Sequence, residues 1–292
     1  MSALRDLLKL IRVSQWYKNL LIFVPLIFSF KLFDLNLLII TFLAFISLSL
    51  MSSSYYIIND LKDVEKDKNH PEKRKRPLAS GRIPKFLAIL FFLFLFFNSL
   101  SLAFLLSKIF LGFIILLFLF SQLYTFYLRD VAFFDIISIS LKFVIRILSG
   151  YFLIQTSVEY PLVLSAFFLS VFMVSGKRIS ETYIQNPEKY RPSLNKQHRD
   201  TLRLMATVAV ASTIILFTIY TLEISKPPLL LTLPISFYII LLYFNGVFHN
   251  PEKIRNPEEF IFEKKIILSL IVWLLILIFS LYPSIISFLP GF

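Results

Sequence analysis

Nine stretches of this sequence are apolar over a length that can cross a lipid bilayer, and no other feature restricts the fold as much. The hydrocarbon core of a bilayer is about 30 Å thick, so a helix needs about 20 mostly apolar residues to cross it. A soluble domain of 292 residues, 57% of them hydrophobic and 34 of them Phe, has no means of burying so much apolar surface. The sequence therefore predicts an all-α integral membrane protein, a bundle of nine transmembrane helices at roughly 19–33, 36–58, 86–106, 109–127, 134–154, 161–176, 204–222, 229–248 and 266–288.

The positive charges lie almost entirely between alternate apolar stretches. Of the 30 Lys and Arg residues, 25 fall in segments 1–18, 59–85, 127–133, 177–203 and 249–265, and the other side receives only Lys31, Lys108 and Lys226. Cytoplasmic loops of membrane proteins carry such an excess of Lys and Arg. The charges predict a cell-membrane protein with a cytoplasmic N-terminus and an external C-terminus. Basic loops beside lipid also explain the net charge of +12 without a nucleic-acid partner.

We expect a single domain over residues 1–292, with its chemistry on the cytoplasmic side. Residues 1–18 place four basic residues among leucines at helical spacing, which predicts an amphipathic helix at the membrane surface. Segments 59–85 and 177–203 are predicted to be the active-site loops. The chain has no cysteine, which excludes disulfides, thiolate metal ligands and cysteine nucleophiles.

The segment after the second apolar stretch carries a regular acidic pattern. If the preceding helix continues through it, Asp60, Asp63 and Asp67 share one helix face, with Asn59 beside them. Crowded carboxylates repel one another, and hard oxygen ligands suit Mg²⁺, for which Mn²⁺ is a possible substitute. The pattern predicts a metal–diphosphate site. The alternative is a charged loop that only sets the topology.

Charged side chains inside the fifth predicted helix form a second pattern. Lys142 and Arg146 are four residues apart and Asp135 is seven before Lys142, so the three share a stripe. A charge at membrane depth costs at least about 2.5 kcal/mol. We expect this stripe to face a polar cavity open to the cytoplasm; snorkelling to the interface is the alternative. The basic run 73–82, with Arg74 and Arg76, either folds over an anionic ligand or serves topology and lipid binding.

These patterns together resemble the UbiA superfamily of intramembrane prenyltransferases, and within it the decaprenyl-phosphate phosphoribosyltransferases. The likeness covers residues 10 to 200. It rests on a first aspartate-rich motif after the second of nine helices, a basic loop behind it, and shorter motifs elsewhere. In this sequence they read Gln15-Trp16-Tyr17-Lys18-Asn19, Asn59-Asp60 through His70-Pro71, Lys73-Arg74, Arg76-Pro77, Gly81, Tyr124 with Arg129 and Asp135, Arg146, Gly150, and Gly176-Lys177-Arg178 with Glu181.

The resemblance implies Mg²⁺-dependent transfer of 5-phosphoribosyl from phosphoribosyl diphosphate to a polyprenyl phosphate, with release of diphosphate, in cell-envelope biosynthesis. It implies that Asp60, Asp63 and Asp67 are catalytic and hold the metal with Asn59, and that Asp135 is catalytic. It also implies a set of substrate-binding residues, namely Lys18, Asn59, Arg74, Arg76, Tyr124, Arg129, Lys142, Arg146, Lys177, Arg178 and Glu181.

The residues after the sixth helix bear on which donor is used. Prenyltransferases of this superfamily resemble one another in a second aspartate-rich cluster there, whereas this chain has Lys177 and Arg178 with Glu181. Such cations suit a lipid phosphate gripped directly. Two rivals stay open: a prenyltransferase that uses a prenyl diphosphate and an aromatic or other hydrophobic acceptor, and a lipid-phosphate carrier or scaffold without chemistry.

Overall fold

Helices form all the regular secondary structure that the computed structural model describes, in residues 2–69, 73–183, 199–255, 260 and 263–283. Eleven are α-helices: α1 Ser2–Leu10, α2 Val24–Phe28, α3 Leu35–Lys68, α4 Lys85–Leu106, α5 Lys108–Phe126, α6 Phe134–Leu153, α7 Tyr160–Glu181, α8 Arg199–Glu223, α9 Thr232–His249, α10 Pro251–Arg255 and α11 Lys264–Leu281. Short 3₁₀ helices Val13–Phe23, Lys73–Lys75, Leu128–Asp130 and Pro227–Leu231 connect them.

Eight helices in the described ranges are long and apolar enough to cross a membrane, which confirms a multi-pass, all-α membrane protein. Each coincides with one of the predicted stretches. The remaining predicted stretch, 19–33, consists of the end of the 3₁₀ helix Val13–Phe23 and the five-residue α2. A count of nine spanning helices is therefore not confirmed. Pro25, near the start of α2, lacks the amide N–H that a continuous helix needs.

Helix α3 places the acidic pattern on regular structure. Asp34 caps its N-terminus and accepts hydrogen bonds from the backbone N–H groups of Asn36 and Leu37. The helix then continues for 34 residues, about 51 Å, well beyond the about 30 Å of a hydrocarbon core. Residues 59–68, predicted as part of a loop, are therefore the last turns of a spanning helix. Residues 70–72 of the same segment lie outside the described residues.

Contacts divide the chain into two units, of which the first holds residues 1–129 and 145–157. In it α3 packs along α4, and α5 packs on both. Leu48, Met51 and Ile114 are among its fully buried core residues. The second half of α6 comes very close to the segment before α3: a Cβ on Gly150 would lie 2.5 Å from the carbonyl oxygen of Ile22. Only glycine permits this approach.

Helix α1 belongs to this first unit. It ends at Leu10, and the predicted amphipathic helix 1–18 is therefore α1 followed by the start of a 3₁₀ helix. Leu10 is fully buried, and Leu7 and Ile11 pack on the same cluster as Ile57 and Leu78. Its position at a membrane surface stays a prediction.

The second unit holds residues 130–144 and 158–292. Helices α7 and α8 pack along each other, and α9 and α10 pack on α7. Lys177 and Arg178 lie in the last turns of α7, because that helix continues to Glu181. Of the predicted loop 177–203, residues 184–198 lie outside the described residues, as do 284–288 at the end of the last predicted span.

Candidate functional site

The acidic side chains at the end of α3 are paired with arginines. Asp60 and Asp67 are both buried, and Arg76 bridges them: its Nη1 lies 3.0 Å from Asp60 Oδ1 and 2.7 Å from Asp67 Oδ2. Arg76 reaches them from just after the 3₁₀ turn Lys73–Lys75. The basic run therefore folds back onto the acidic face. That it covers an anionic ligand stays a prediction.

Arg12 is the second arginine on Asp60. Its Nη2 donates to Asp60 Oδ1, and its guanidinium lies 4.7 Å from the ring centre of Tyr56. Burial is the largest single influence on the pKa of Arg12 and lowers it, but the charges of Asp60, Tyr56 and Asp67 and the hydrogen bond to Asp60 together outweigh burial, so the pKa is raised. The backbone of Arg12 is left-handed, with φ 52°, a strained conformation for a residue with a Cβ. Such strain persists where the surroundings hold the residue in place.

Asp63 has its own partner. Arg129 donates from Nη1 to Asp63 Oδ2 at 2.6 Å and from Nη2 to Oδ1 at 3.0 Å, a two-pronged ion pair. Arg129 belongs to the 3₁₀ turn after α5, and both side chains are largely shielded from solvent. The pair fixes that turn against the acidic face of α3.

Asn59 contacts the end of α5. The Thr125 hydroxyl forms a hydrogen bond with Asn59 Oδ1 and also lies 2.8 Å from the carbonyl oxygen of Ser121. Lys62, one turn along α3, donates to the carbonyl oxygen of Thr125 at 2.6 Å. The C-terminal end of α5 therefore borders the predicted metal-binding residues.

Among the described residues no three carboxylate or imidazole groups converge in a way that would surround one metal ion. Asp60 Oδ2 and Asp67 Oδ1 are the carboxylate oxygens of this face that accept no hydrogen bond from the described part of the chain. The acidic face thus offers single carboxylate oxygens rather than a closed cage.

A buried polar network lies deeper in the same unit. Arg146, on α6, donates from Nε to Asn19 Oδ1 at 2.7 Å and from Nη2 to the Tyr55 hydroxyl at 2.8 Å. Asn19 also bonds the hydroxyls of Ser49 and Ser52 on α3. Arg146 is 3% exposed, so it does not snorkel out of this unit in the way the alternative interpretation required.

In the second unit Arg178 is the centre of a buried ion-pair cluster. Its Nε lies 2.6 Å from Asp135 Oδ2, and its Nη1 lies 2.9 and 2.8 Å from the two carboxylate oxygens of Glu181. The side chains of Arg178 and Asp135 are each 4% exposed. Lys177 beside them is half-buried. The sequence analysis placed Asp135 on a stripe with Lys142 and Arg146 and did not predict that Arg178 pairs with both acids.

The other predicted substrate-binding residues have simpler surroundings. Lys18 donates to Gln15 Oε1 at 2.6 Å, Tyr124 is buried on α5, Lys142 is half-buried on α6, and Arg74 is exposed. A cavity of about 380 Å³ in the second unit is lined by Asn245, Lys253, Lys264 and neighbouring residues of α9 and α11, and by none of the predicted site residues. The predicted cytoplasmic cavity stays a prediction.

Sequence reasoning missed Arg12, Thr125 and Asn19 as parts of these clusters. Arg12 is one of four basic residues in an amphipathic segment, and nothing in that pattern distinguishes it from the others. Asn19 had a signal, because it ends the Gln-Trp motif. Thr125 had a weaker one: it follows Tyr124 in the polar end of an otherwise apolar helix.

Comparison with known proteins identifies the family of this chain. A family model described as the UbiA prenyltransferase family matches residues 21–262. The decaprenyl-phosphate phosphoribosyltransferase of Mycobacterium tuberculosis is 30% identical over 229 residues, which cover 76% of this chain and 76% of that protein. The protein of the same name from Mycolicibacterium smegmatis is 31% identical over 241 residues, covering 80% and 75%.

The fold is also found in solved structures. A UbiA homologue from Archaeoglobus fulgidus, bound to GPP and Mg²⁺, superimposes with a TM-score of 0.69 at 19% identity, over 93% of this chain and 99% of that one. At this identity the likeness bears on the fold alone.

Proposed function

This chain belongs to the UbiA prenyltransferase family, and from that membership we propose that it transfers 5-phosphoribosyl from phosphoribosyl diphosphate to a polyprenyl phosphate. As a member of a transferase family it is a membrane-embedded enzyme, which sets aside the carrier or scaffold. In the proposed reaction an oxygen of the lipid phosphate forms a bond to the anomeric carbon while the bond from that carbon to diphosphate breaks. The attacking oxygen is already anionic, so no general base is needed.

One observation carries the proposal. Among the described helices one aspartate-rich face is found, at the end of α3, and at the position where a second one is expected the chain has Lys177 and Arg178 on α7. One acidic face suits one metal-held diphosphate, and Lys and Arg suit a phosphate held directly. The two curated relatives carry the name of this activity, which supports the same assignment.

The residues at the acidic face fit Mg²⁺. This ion usually keeps several waters and binds through one or two carboxylates together with substrate phosphates. Asp60 Oδ2 and Asp67 Oδ1 are carboxylate oxygens of that kind, and Asp63 and Asn59 complete the proposed donor set. When bound, the ion withdraws charge from the departing diphosphate. Mn²⁺ has the same preference for oxygen ligands and belongs to the proposal as a substitute.

The arginines around the acidic face have a second role in this proposal. Arg12, Arg76 and Arg129 form ion pairs with the three carboxylates. A guanidinium fork fits a phosphate as well as a carboxylate. We assign these arginines, with Arg74 and Lys18, to the donor's phosphates.

Thr125 determines how Asn59 faces the metal. The Thr125 hydroxyl has one proton, and the Ser121 carbonyl at 2.8 Å is the usual acceptor for it within a helix. Thr125 then needs a donor from Asn59. The orientation of a side-chain amide is assigned from its hydrogen-bond network. If the Asn59 amide is rotated by about 180°, Nδ2 donates to the Thr125 hydroxyl and Oδ1 would be available as a metal ligand. We assign that orientation.

A donor screen with purified protein tests the proposal. Phosphoribosyl diphosphate or a prenyl diphosphate is paired with polyprenyl phosphate or an aromatic acceptor, and diphosphate release is measured. We expect release only with phosphoribosyl diphosphate and polyprenyl phosphate, with Mg²⁺ present. Release from a prenyl diphosphate and an aromatic acceptor, with none from phosphoribosyl diphosphate, would make the prenyltransferase alternative correct.

A further inference from the structure

The side-chain amide of Gln122 on α5 differs from the buried amide of Asn19 in the same unit, which is hydrogen-bonded through both its nitrogen and its oxygen. Nε2 and Oε1 of Gln122 are both shielded from solvent, and neither finds a hydrogen-bond partner in the described ranges of the chain. An amide is costly to bury without such partners. Inside a spanning helix the cost is not relieved by bulk water. A buried amide that the fold leaves unsatisfied therefore points to a partner from outside the chain.

The position of Gln122 indicates where that partner lies. From Ile109 to Phe120 α5 has no polar side chain, and then Ser121, Gln122, Tyr124 and Thr125 follow. Gln122 is three residues before Thr125, so their Cβ atoms are about 5–6 Å apart on one helix face. Gln122 is about 4.5 Å farther into the membrane. Thr125 contacts Asn59, at the edge of the acidic face. Gln122 therefore lies about one helical turn farther into the membrane than that edge.

The chemistry of an amide selects among the groups that could meet it there. A metal ion binds only the oxygen Oε1, and a carboxylate-like oxygen accepts a hydrogen bond only from Nε2. Either group therefore leaves the other polar atom of the amide without a partner. A prenyl chain satisfies neither. A pair of sugar hydroxyls satisfies both, because each hydroxyl donates and accepts.

We propose that Gln122 binds the sugar hydroxyls of the donor whose diphosphate is held at the acidic face, and so selects a phosphoribosyl over a prenyl donor. The inference rests on the proposed function and adds to it a residue that determines specificity. The Gln122 amide forms no hydrogen bond with a described protein group, so its hydrogen bonding contributes to the bound state rather than to the fold.

The test is a Gln122→Leu variant, which keeps the approximate volume and removes both polar atoms. We expect its Kd for phosphoribosyl diphosphate to rise about ten-fold or more, since a site built to bond a hydroxyl loses affinity steeply when the bonds go. Inorganic diphosphate has no sugar, so its inhibition constant should stay within about two-fold. The melting temperature of the ligand-free protein should stay equal or rise, because an unsatisfied amide is gone.

A Ser99→Ala variant is the matched control in the same unit. The Ser99 hydroxyl is buried and bonded to the Ser47 carbonyl at 2.8 Å, so its loss should lower the melting temperature and leave both constants unchanged. If Gln122→Leu instead lowers the melting temperature or weakens both ligands equally, Gln122 is structural and the inference fails. An unchanged Kd for phosphoribosyl diphosphate overturns it as well. A wild-type protein that binds inorganic diphosphate but no phosphoribosyl diphosphate rejects the proposed function together with this inference.

Discussion

Replacing Arg178 by Gln separates the structural role of this side chain in its ion pairs from the proposed role in binding the lipid phosphate. The substitution removes the guanidinium that Asp135 and Glu181 share, at distances of 2.6 to 2.9 Å. Asp135, 4% exposed, is then left as a buried charge without this partner. Removing one member of a buried ion pair typically costs about 3–5 kcal/mol. We therefore expect a clear loss of thermal stability in detergent, whatever the substrate.

The second role concerns the acceptor. A charge-assisted contact to the lipid phosphate is worth about 1.5–3 kcal/mol, so its loss raises the Michaelis constant for polyprenyl phosphate about ten- to a hundred-fold. The constant for phosphoribosyl diphosphate should change less, because its diphosphate is assigned to the acidic face of α3. Arg178→Lys keeps the charge but loses the fork, and should be impaired in both respects.

A double variant makes the distinction. Arg178→Gln combined with Asp135→Asn removes the buried carboxylate charge together with the guanidinium, so most of the lost melting temperature should return. The raised acceptor constant should not return, since the phosphate contact is still missing. If the Michaelis constant for polyprenyl phosphate recovers together with stability, Arg178 acts only through the fold; this constant, and not the turnover, is the readout because Asp135 is itself expected to be catalytic. A donor constant that rises while the acceptor constant stays unchanged would place the diphosphate at α7 and reverse the assignment.

Three further predictions follow from the remaining contacts. Asp63→Asn should lose at least about 100-fold in activity while still folding, with Lys68→Gln much closer to wild type; full activity in excess EDTA would contradict the metal site. Thr125→Val should raise the Mg²⁺ concentration for half-maximal activity several-fold and Thr125→Ser should not, whereas equal effects would reject the orienting role of the hydroxyl. Single cysteines at Ser80 and Ser225, in a chain without native cysteine, should be labelled from opposite sides, and a cysteine at Ser2 from the side of Ser80 if 19–33 crosses the membrane.

The spanning helices were predictable because burial in lipid selects for length and hydrophobicity alone, which can be read along the sequence. The stretch 19–33 shows the limit of that signal. It is apolar enough, but Pro25 interrupts the backbone hydrogen bonding, and the close approach of Gly150 to Ile22 depends on a helix more than 120 residues away. Composition carries no information on such a contact. Helix α3 exceeded its predicted end because charged residues continue a helix outside the hydrocarbon layer.

The clustering of the three aspartates could be predicted from the sequence, whereas their arginine partners could not. Asp60, Asp63 and Asp67 repeat at helical spacing, a local pattern that depends on α3 alone. Arg12 and Arg129 reach them from 48 and 66 residues away, and no periodicity links such positions. The sequence analysis did not single out Gln122, for a different reason. A single amide near the end of an apolar helix is a normal sequence feature, and only the described packing reveals that it has no protein partner.

Charge balance explains why three carboxylates can sit together beside a membrane. Like-charge repulsion on α3 calls for a cation, and the fold supplies Arg12, Arg76 and Arg129, so three negative charges face three positive ones before any ligand binds. A metal ion and a diphosphate then arrive as a pair of opposite charges, which alters that balance little. An isolated Mg²⁺ would add two charges to a neutral cluster. This cluster should therefore bind metal weakly alone and far more tightly with diphosphate, an ordering that Mn²⁺ titration with and without diphosphate measures directly.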